Sequence, residues 1–188
     1  GALVTGLVTM AAGMATYINS TNTARNIAER DLFAIRTLIA AATGKEIGEV
    51  SVIDIRRALM SGEVTTSEFQ QLVRTNPGFI WLKRRVVTQD EIYYVMVQTS
   101  NFYARHLLNR PASYYTGKRD AQVYDAETAA TFFLADEQAY NAGEALDLQY
   151  IFTSKLTGKQ YEFSGLKWHF AADGEDYVAG MGQIEEIP

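Results

Sequence analysis

The segment Gly117-Lys118-Arg119-Asp120 sets a glycine beside two cations and a carboxylate. That grouping raises two chemistries, a phosphate cradle and a catalytic turn. A P-loop needs the run Gly-x-x-x-x-Gly-Lys-Ser/Thr, which wraps phosphate in successive backbone amides. The spacing here does not provide it. Gly117 reads instead as a permissive turn position. Asp120 is expected to accept hydrogen bonds from nearby backbone amides, as aspartate does in turns. The other reactive residue types are sparse. The chain has no cysteine and only His106 and His169 as histidines. Disulfides, thiolate metal sites, cysteine nucleophiles and cysteinyl flavin adducts are therefore excluded, and no multi-histidine metal site is expected. No Gly-x-Ser-x-Gly elbow occurs. Asp136-Glu137 and Glu185-Glu186 read as solvated faces. No catalytic residue, cofactor or metal is expected, and the chain is not read as an enzyme.

The elements that hold these residues fall into two stretches. The chain has 188 residues, 47% of them hydrophobic and 21% charged, which suits globular packing. The formal net charge of −5 argues against direct nucleic-acid binding, which needs clustered Lys and Arg. Charges balance over 1–76, so the excess of acid lies in 77–188. Tyr17, Phe33 and Phe69 are the only aromatic residues before Phe79. The breaker Thr75-Asn76-Pro77-Gly78 marks the division between a helical segment, 1–76, and a second domain, 77–188.

Residues 2–18 carry no charge and reach the lower length limit for a membrane anchor or its remnant; a buried or self-associating helix is the alternative. Arg25, Arg30 and Arg36 follow that run, which places the rest of the chain on the cytoplasmic side, attached to the inner face of a membrane if the run is an anchor. Ala28, Leu32, Ile35 and Ile39 recur at coiled-coil spacing within 24–43 and are expected to form a homodimer seam. Gly44 supplies a stop. Ser51 with Asp54, and Thr65 with Glu68, predict capping boxes for two short helices within 51–75.

After Pro77 the pattern turns to strands. "FIWLKRRVV", "EIYYVMV", "LDLQYIFTS", "KQYEFSGLKWHF" and "DYVAGMGQIEEI" are rich in β-branched and aromatic residues. Thr88–Asp90, Thr157-Gly158 and Asp173-Gly174 are hairpin turns. Helical signals lie between the two strand groups, the longest over Ala126–Ala142. The order β-β-α-α-α-β-β-β predicts an α+β fold, a five-stranded antiparallel sheet with helices on one side, preceded by an all-helical segment.

That order, with "SNFYARHLL" after the second strand, "YYTGKRDAQVY" leading into the long helix, "FFLADEQAYNAGEAL" closing it and "GLKWHFAADGEDYVAGMGQIEEI" at the end, resembles a PAS domain over about Phe79–Ile187. The resemblance implies a sensory domain that binds a small molecule or a partner between the helices and the inner face of the sheet. The change would be relayed through dimerising N-terminal helices. Haem-binding members usually place an axial histidine on or near the long helix, and Ala126–Ala142 has none, so no haem is expected. By family geometry and strand alternation, the expected pocket residues are Tyr94, Met96, Phe102, His106, Tyr115, Phe133, Phe152 and Trp168. The alternative is a membrane-anchored structural or interaction protein, such as a phage or secretion component, whose PAS-like interior is filled by its own side chains.

Overall fold

The computed structural model of the chain describes residues 17–19, 33–154 and 157–188. Strand β1 is Tyr17–Asn19. Helices α1 (Phe33–Thr43), α2 (Val52–Ser61) and α3 (Thr66–Thr75) follow. The second stretch carries β2 (Phe79–Val87), β3 (Ile92–Thr99), α4 (Asn101–Leu108), α5 (Ala126–Ala142), β4 (Leu146–Thr153), β5 (Gln160–Ala172) and β6 (Glu175–Ile187). All strand pairs are antiparallel, in the spatial order β1-β4-β5-β6-β2-β3. Five strands are those expected. The sixth, β1, adds itself to the β4 edge, with Tyr17 opposite Tyr150 and Asn19 opposite Leu148.

Local chemistry explains the helix ends. The Ser51 amide donates to the Asp54 carboxylate at 2.9 Å while the Asp54 amide donates to Ser51 Oγ, which closes the predicted capping box. Thr65 and Glu68 repeat the device on α3. Asp173 and Gly174 both have positive φ, at 55° and 75°, as a tight hairpin between two long strands demands.

The helices of 77–188 lie on one face of the sheet, as expected, and those of the N-terminal segment cover the other. Ile35 and Ile39 of α1, Ile55 and Leu59 of α2, and Phe69 and Val73 of α3 form one core with Ile80, Leu82, Leu166, Trp168 and Phe170 of the sheet. Phe69 meets the Trp168 and Phe170 rings edge-on, at 6.5 and 5.9 Å between centroids. α4 and α5 cover the opposite, inner face, where Trp81, Leu107, Phe132, Phe152 and Phe163 belong to a second core. The composition break at 76/77 is thus crossed by a shared core. Ile35 and Ile39 are wholly buried in it, which removes both from the expected dimer seam. Ala28 and Leu32 lie outside the described residues. So does 2–16 of the expected anchor, while Tyr17 and Ile18 are strand. Among the described residues, no helix is long and apolar enough to cross a membrane.

Arg56 ties the two layers together. Its Nε donates to the His169 carbonyl of β5 at 2.7 Å and its Nη1 to the Gly143 carbonyl at the end of α5 at 2.5 Å. Truncating the residue at the centre of the outer core, Phe69→Ala, should cost about 3–5 kcal/mol in urea unfolding. Tryptophan fluorescence and far-UV circular dichroism should then report one common transition. Two separate transitions would show that α1–α3 fold apart from the sheet.

Candidate functional site

Four charged side chains meet beneath the inner face of the sheet. Lys83 stands on β2 with the same strand parity as Phe79 and Trp81, and Lys167 on β5 with that of Tyr161 and Phe163. Asp136 lies one turn beyond Phe132 on α5. Asp120 opens the short 3-10 turn Asp120–Gln122. Its position is set by the preceding turn, where Gly117 has a φ of +79°. There the Gly117 amide donates to the Met96 carbonyl at 2.8 Å and the Met96 amide to the Lys118 carbonyl at 2.9 Å. The turn is thereby pinned along the edge of β3. Asp120 is 7% exposed and the other three less.

The contacts form one chain. Lys167 Nζ donates to Asp136 Oδ1 at 2.6 Å. Lys83 Nζ donates to Asp136 Oδ2 and to Asp120 Oδ2, both at 2.7 Å. The Tyr115 hydroxyl, itself buried, donates to Asp120 Oδ1. Two ammonium and two carboxylate groups cancel in formal charge. Burial pushes the Asp136 carboxyl up, but Lys167 and Lys83 overcome it and hold the group below the ordinary aspartate range. Burial likewise opposes the charge on Lys83, and its two aspartates more than offset that. Lys167 has a single carboxylate partner. Burial and the nearby Lys83 charge bring its ammonium below the usual lysine value. Burial and Asp120 hold the Tyr115 hydroxyl well above ordinary tyrosine, so it stays a donor.

Aromatic rings surround these charges. Lys167 Nζ lies 5.4 Å from the Trp81 ring centre and 5.7 Å from that of Tyr150. Gly180 makes room for the indole, since a Cβ there would stand 2.1 Å from the Trp81 ring. The cavity left between Trp81, Lys83, Phe132, Tyr150 and Lys167 measures about 10 Å³, the space of one water molecule. The Trp81 indole Nε1 is buried with no hydrogen-bond partner among the described residues.

A larger opening lies on the other side of Asp120. A cleft of about 300 Å³ runs between β3, the Arg119–Ala121 backbone and α5. Tyr94 and Phe133 form its aromatic wall, Ala126, Ala129 and Ala130 its floor, and Tyr93 and Arg119 its rim. Asp120 is common to the cleft and to the buried charges.

The expected pocket residues divide accordingly. Tyr94 and Phe133 line the cleft. Phe152 borders the small cavity, Tyr115 binds Asp120, and Met96 is buried in the inner core. Phe102 and His106 face outward, their rings stacked 5.2 Å apart. Ser100 caps α4 so that Tyr103 and Leu107 point inward, which turns the neighbouring pair Phe102 and His106 away. Trp168 is on the outer face against Phe69, so it lines no inner pocket. Asp120 does open a turn, but its side chain takes Lys83 and Tyr115 instead of backbone amides, and the reading of Asp136-Glu137 as a solvated pair is corrected. Asp136 is fully buried, and Glu137 takes Arg85 Nε at 2.8 Å and the Tyr94 hydroxyl at 2.7 Å. A partial signal for the charge chain did exist: Lys83 shares strand parity with Phe79 and Trp81, and Lys167 with Tyr161 and Phe163, although Arg84 and Arg85 follow Lys83 directly.

Strands β2 and β3 form a hairpin, helices intervene, and β4–β6 return as a meander that sets β6 beside β2. The fold is PAS-like. A solved PAS domain of an HTR-like protein from Haloarcula marismortui is 16% identical over 70% of this chain and 98% of its own, with a TM-score of 0.42. An RNA-binding light-oxygen-voltage receptor is 11% identical over 88% of this chain and 58% of its own, with a TM-score of 0.45. No protein-family model and no curated protein matches the chain. Both structures are distant, and the PAS-like assignment rests on the strand order and helix placement of this chain.

Buried ion pairs are weak sources of stability, but a half-broken one is costly. Asp136→Leu alone should therefore destabilise the chain by about 3–5 kcal/mol, while replacing all four charges by apolar residues of similar volume should recover most of that loss. Urea unfolding of both variants measures the contrast. The Asp136 carboxyl also predicts an acid limb. Its folded value is depressed, so its contribution is present above the ordinary aspartate value of 3.8 and is lost as pH falls through the lower folded value. Stability measured from pH 5 down to pH 2 should fall less steeply for Asp136→Asn than for the parent protein.

Proposed function

We propose that this chain is a non-catalytic sensory domain in which a small molecule occupies the cleft beside Asp120. One observation carries the reading: the Asp120 carboxylate that lines the cleft is also a partner of buried Lys83. An occupant that shifts the Asp120 turn changes the partnering of Lys83, then of Asp136 on α5 and Lys167 on β5. A buried ammonium cannot lose a carboxylate without a large penalty, so such a shift propagates as a repacking. Arg56 supplies an exit, since it holds both the end of α5 and β5 from helix α2. The signal would leave through the N-terminal helices, as a difference in binding free energy between two packings.

The interior cavity of about 10 Å³ favours a second reading, an interaction module whose PAS-like core is filled by its own rings. One experiment separates the two. The chain is screened by thermal shift and native mass spectrometry against a metabolite library, and hits are followed by hydrogen exchange. The sensory reading expects a hit that stabilises the fold by about 2.7 kcal/mol at 100-fold excess over Kd. It also expects altered exchange in the Arg56 contacts, and expects Asp120→Asn to keep binding but lose that distant change. A stable protein that no library member shifts would leave the filled-interior reading standing.

A further inference from the structure

We infer that the cleft is built for a small carboxylic acid with an aromatic or apolar body. This rests on the sensory reading and names its ligand class.

Hydrogen-bonding capacity around the cleft decides the charge. Asp120 is the carboxylate among the lining residues, and it and the nearby Glu91 and Glu137 each already hold a cation. Glu91 takes Arg119 Nη1 at 2.8 Å, Asp120 takes Lys83 and Tyr115, and Glu137 takes Arg85. The Tyr94 hydroxyl is used on Glu137. An amine ligand would find no free carboxylate and would have to displace an existing cation. Arg119 is different. A guanidinium carries five N–H donors in a planar fork, and the Glu91 contact occupies one nitrogen. Its carbon sits 3.4 Å from the centre of the Tyr93 ring, which holds the fork at the rim. That pre-ordered fork is suited to a two-oxygen acceptor. The negative charge of Asp120 does not forbid an acid, because Lys83 neutralises it from behind.

Shape decides the rest of the ligand. Ala126, Ala129 and Ala130 recur at i, i+3 and i+4 on α5, so the first two turns of that helix present methyl groups to the cleft. Phe133 continues the same strip, and its ring meets that of Tyr94 on β3 edge to face with centroids 6.0 Å apart, which closes one end of the cleft. A flat ring fits between a methyl floor and an aromatic wall. The volume of about 300 Å³ lies at the small end of ligand pockets, which suits a single ring with a short acid arm.

The test uses three probes of one shape: phenylacetate, phenylacetamide and phenethylamine. Each is titrated into the full chain by calorimetry, with thermal shift alongside. Phenylacetate should bind about tenfold or more tightly than the amide, and the amine should bind most weakly. Arg119→Gln, a change at a partly exposed side chain, should weaken the acid about tenfold and leave the amide unchanged. Ala130→Phe fills the floor and should abolish both, with circular dichroism and the unfolding midpoint confirming a native fold. The inference is overturned if the amide or amine equals the acid, if Arg119→Gln has no effect, or if none of the three probes binds. The sensory reading fails separately. Acid binding that alters exchange only at the cleft would sink the relay while leaving the ligand class intact.

Discussion

Asp136 has to be solvated by protein, and much of the inner layer follows from that need. It is a fully buried carboxylate on the one long helix, and Lys83 and Lys167 reach it from two strands that both flank β6. For Lys167, Asp136 is the carboxylate partner that offsets the cost of burying the charge, and for Lys83 it is one of two. The pairing therefore sets the rotation of α5 over the sheet. It also leaves Lys83 with donor capacity that Asp120 absorbs, which draws the Gly117–Asp120 turn onto the β3 edge. The rings around the charges complete the arrangement by excluding water, and exclusion of water is what makes a lost partner expensive.

The sheet behaves as a shared wall between two different layers. On its outer face Ile80, Leu82, Leu166, Trp168 and Phe170 pack against α1–α3. Its inner face mixes aromatic rings with the four charges. A layer of dispersion contacts tolerates little displacement. Arg56 spans the two layers through backbone carbonyls of β5 and the α5 terminus.

Much of the fold was legible because its signals are local. The five main strands, the Ala126–Ala142 helix, both capping boxes and the tight Asp173-Gly174 turn each follow from periodicity or from a side chain acting on its own neighbours. Strand β1 was not legible, since three residues inside an uncharged run carry no period of their own. The placement of helices on both faces escaped for a related reason. Trp168 and His169 alternate whether or not a second layer covers the outer side, so an apolar residue there reads as a candidate for the inner core. Phe102 and His106 were misjudged because their i, i+4 spacing marks a helix face without saying which face turns inward.

The sequence by itself determined the order of elements, the resemblance to PAS domains and the absence of cysteine chemistry, because each depends only on residue type and spacing along the chain. It also carried a mark of the site in Lys83 and Lys167, cations set among inward-facing aromatic positions. Only the tertiary structure decided that these meet Asp136 and Asp120, residues 53 and 37 positions from Lys83 along the chain. Which carboxylate neutralises which lysine depends on how α5 and the Asp120 turn settle over the sheet, a three-dimensional outcome that no short-range pattern encodes. The same packing sets the Gly117-Lys118-Arg119-Asp120 turn between a solvent-facing cleft and a buried chain of charge.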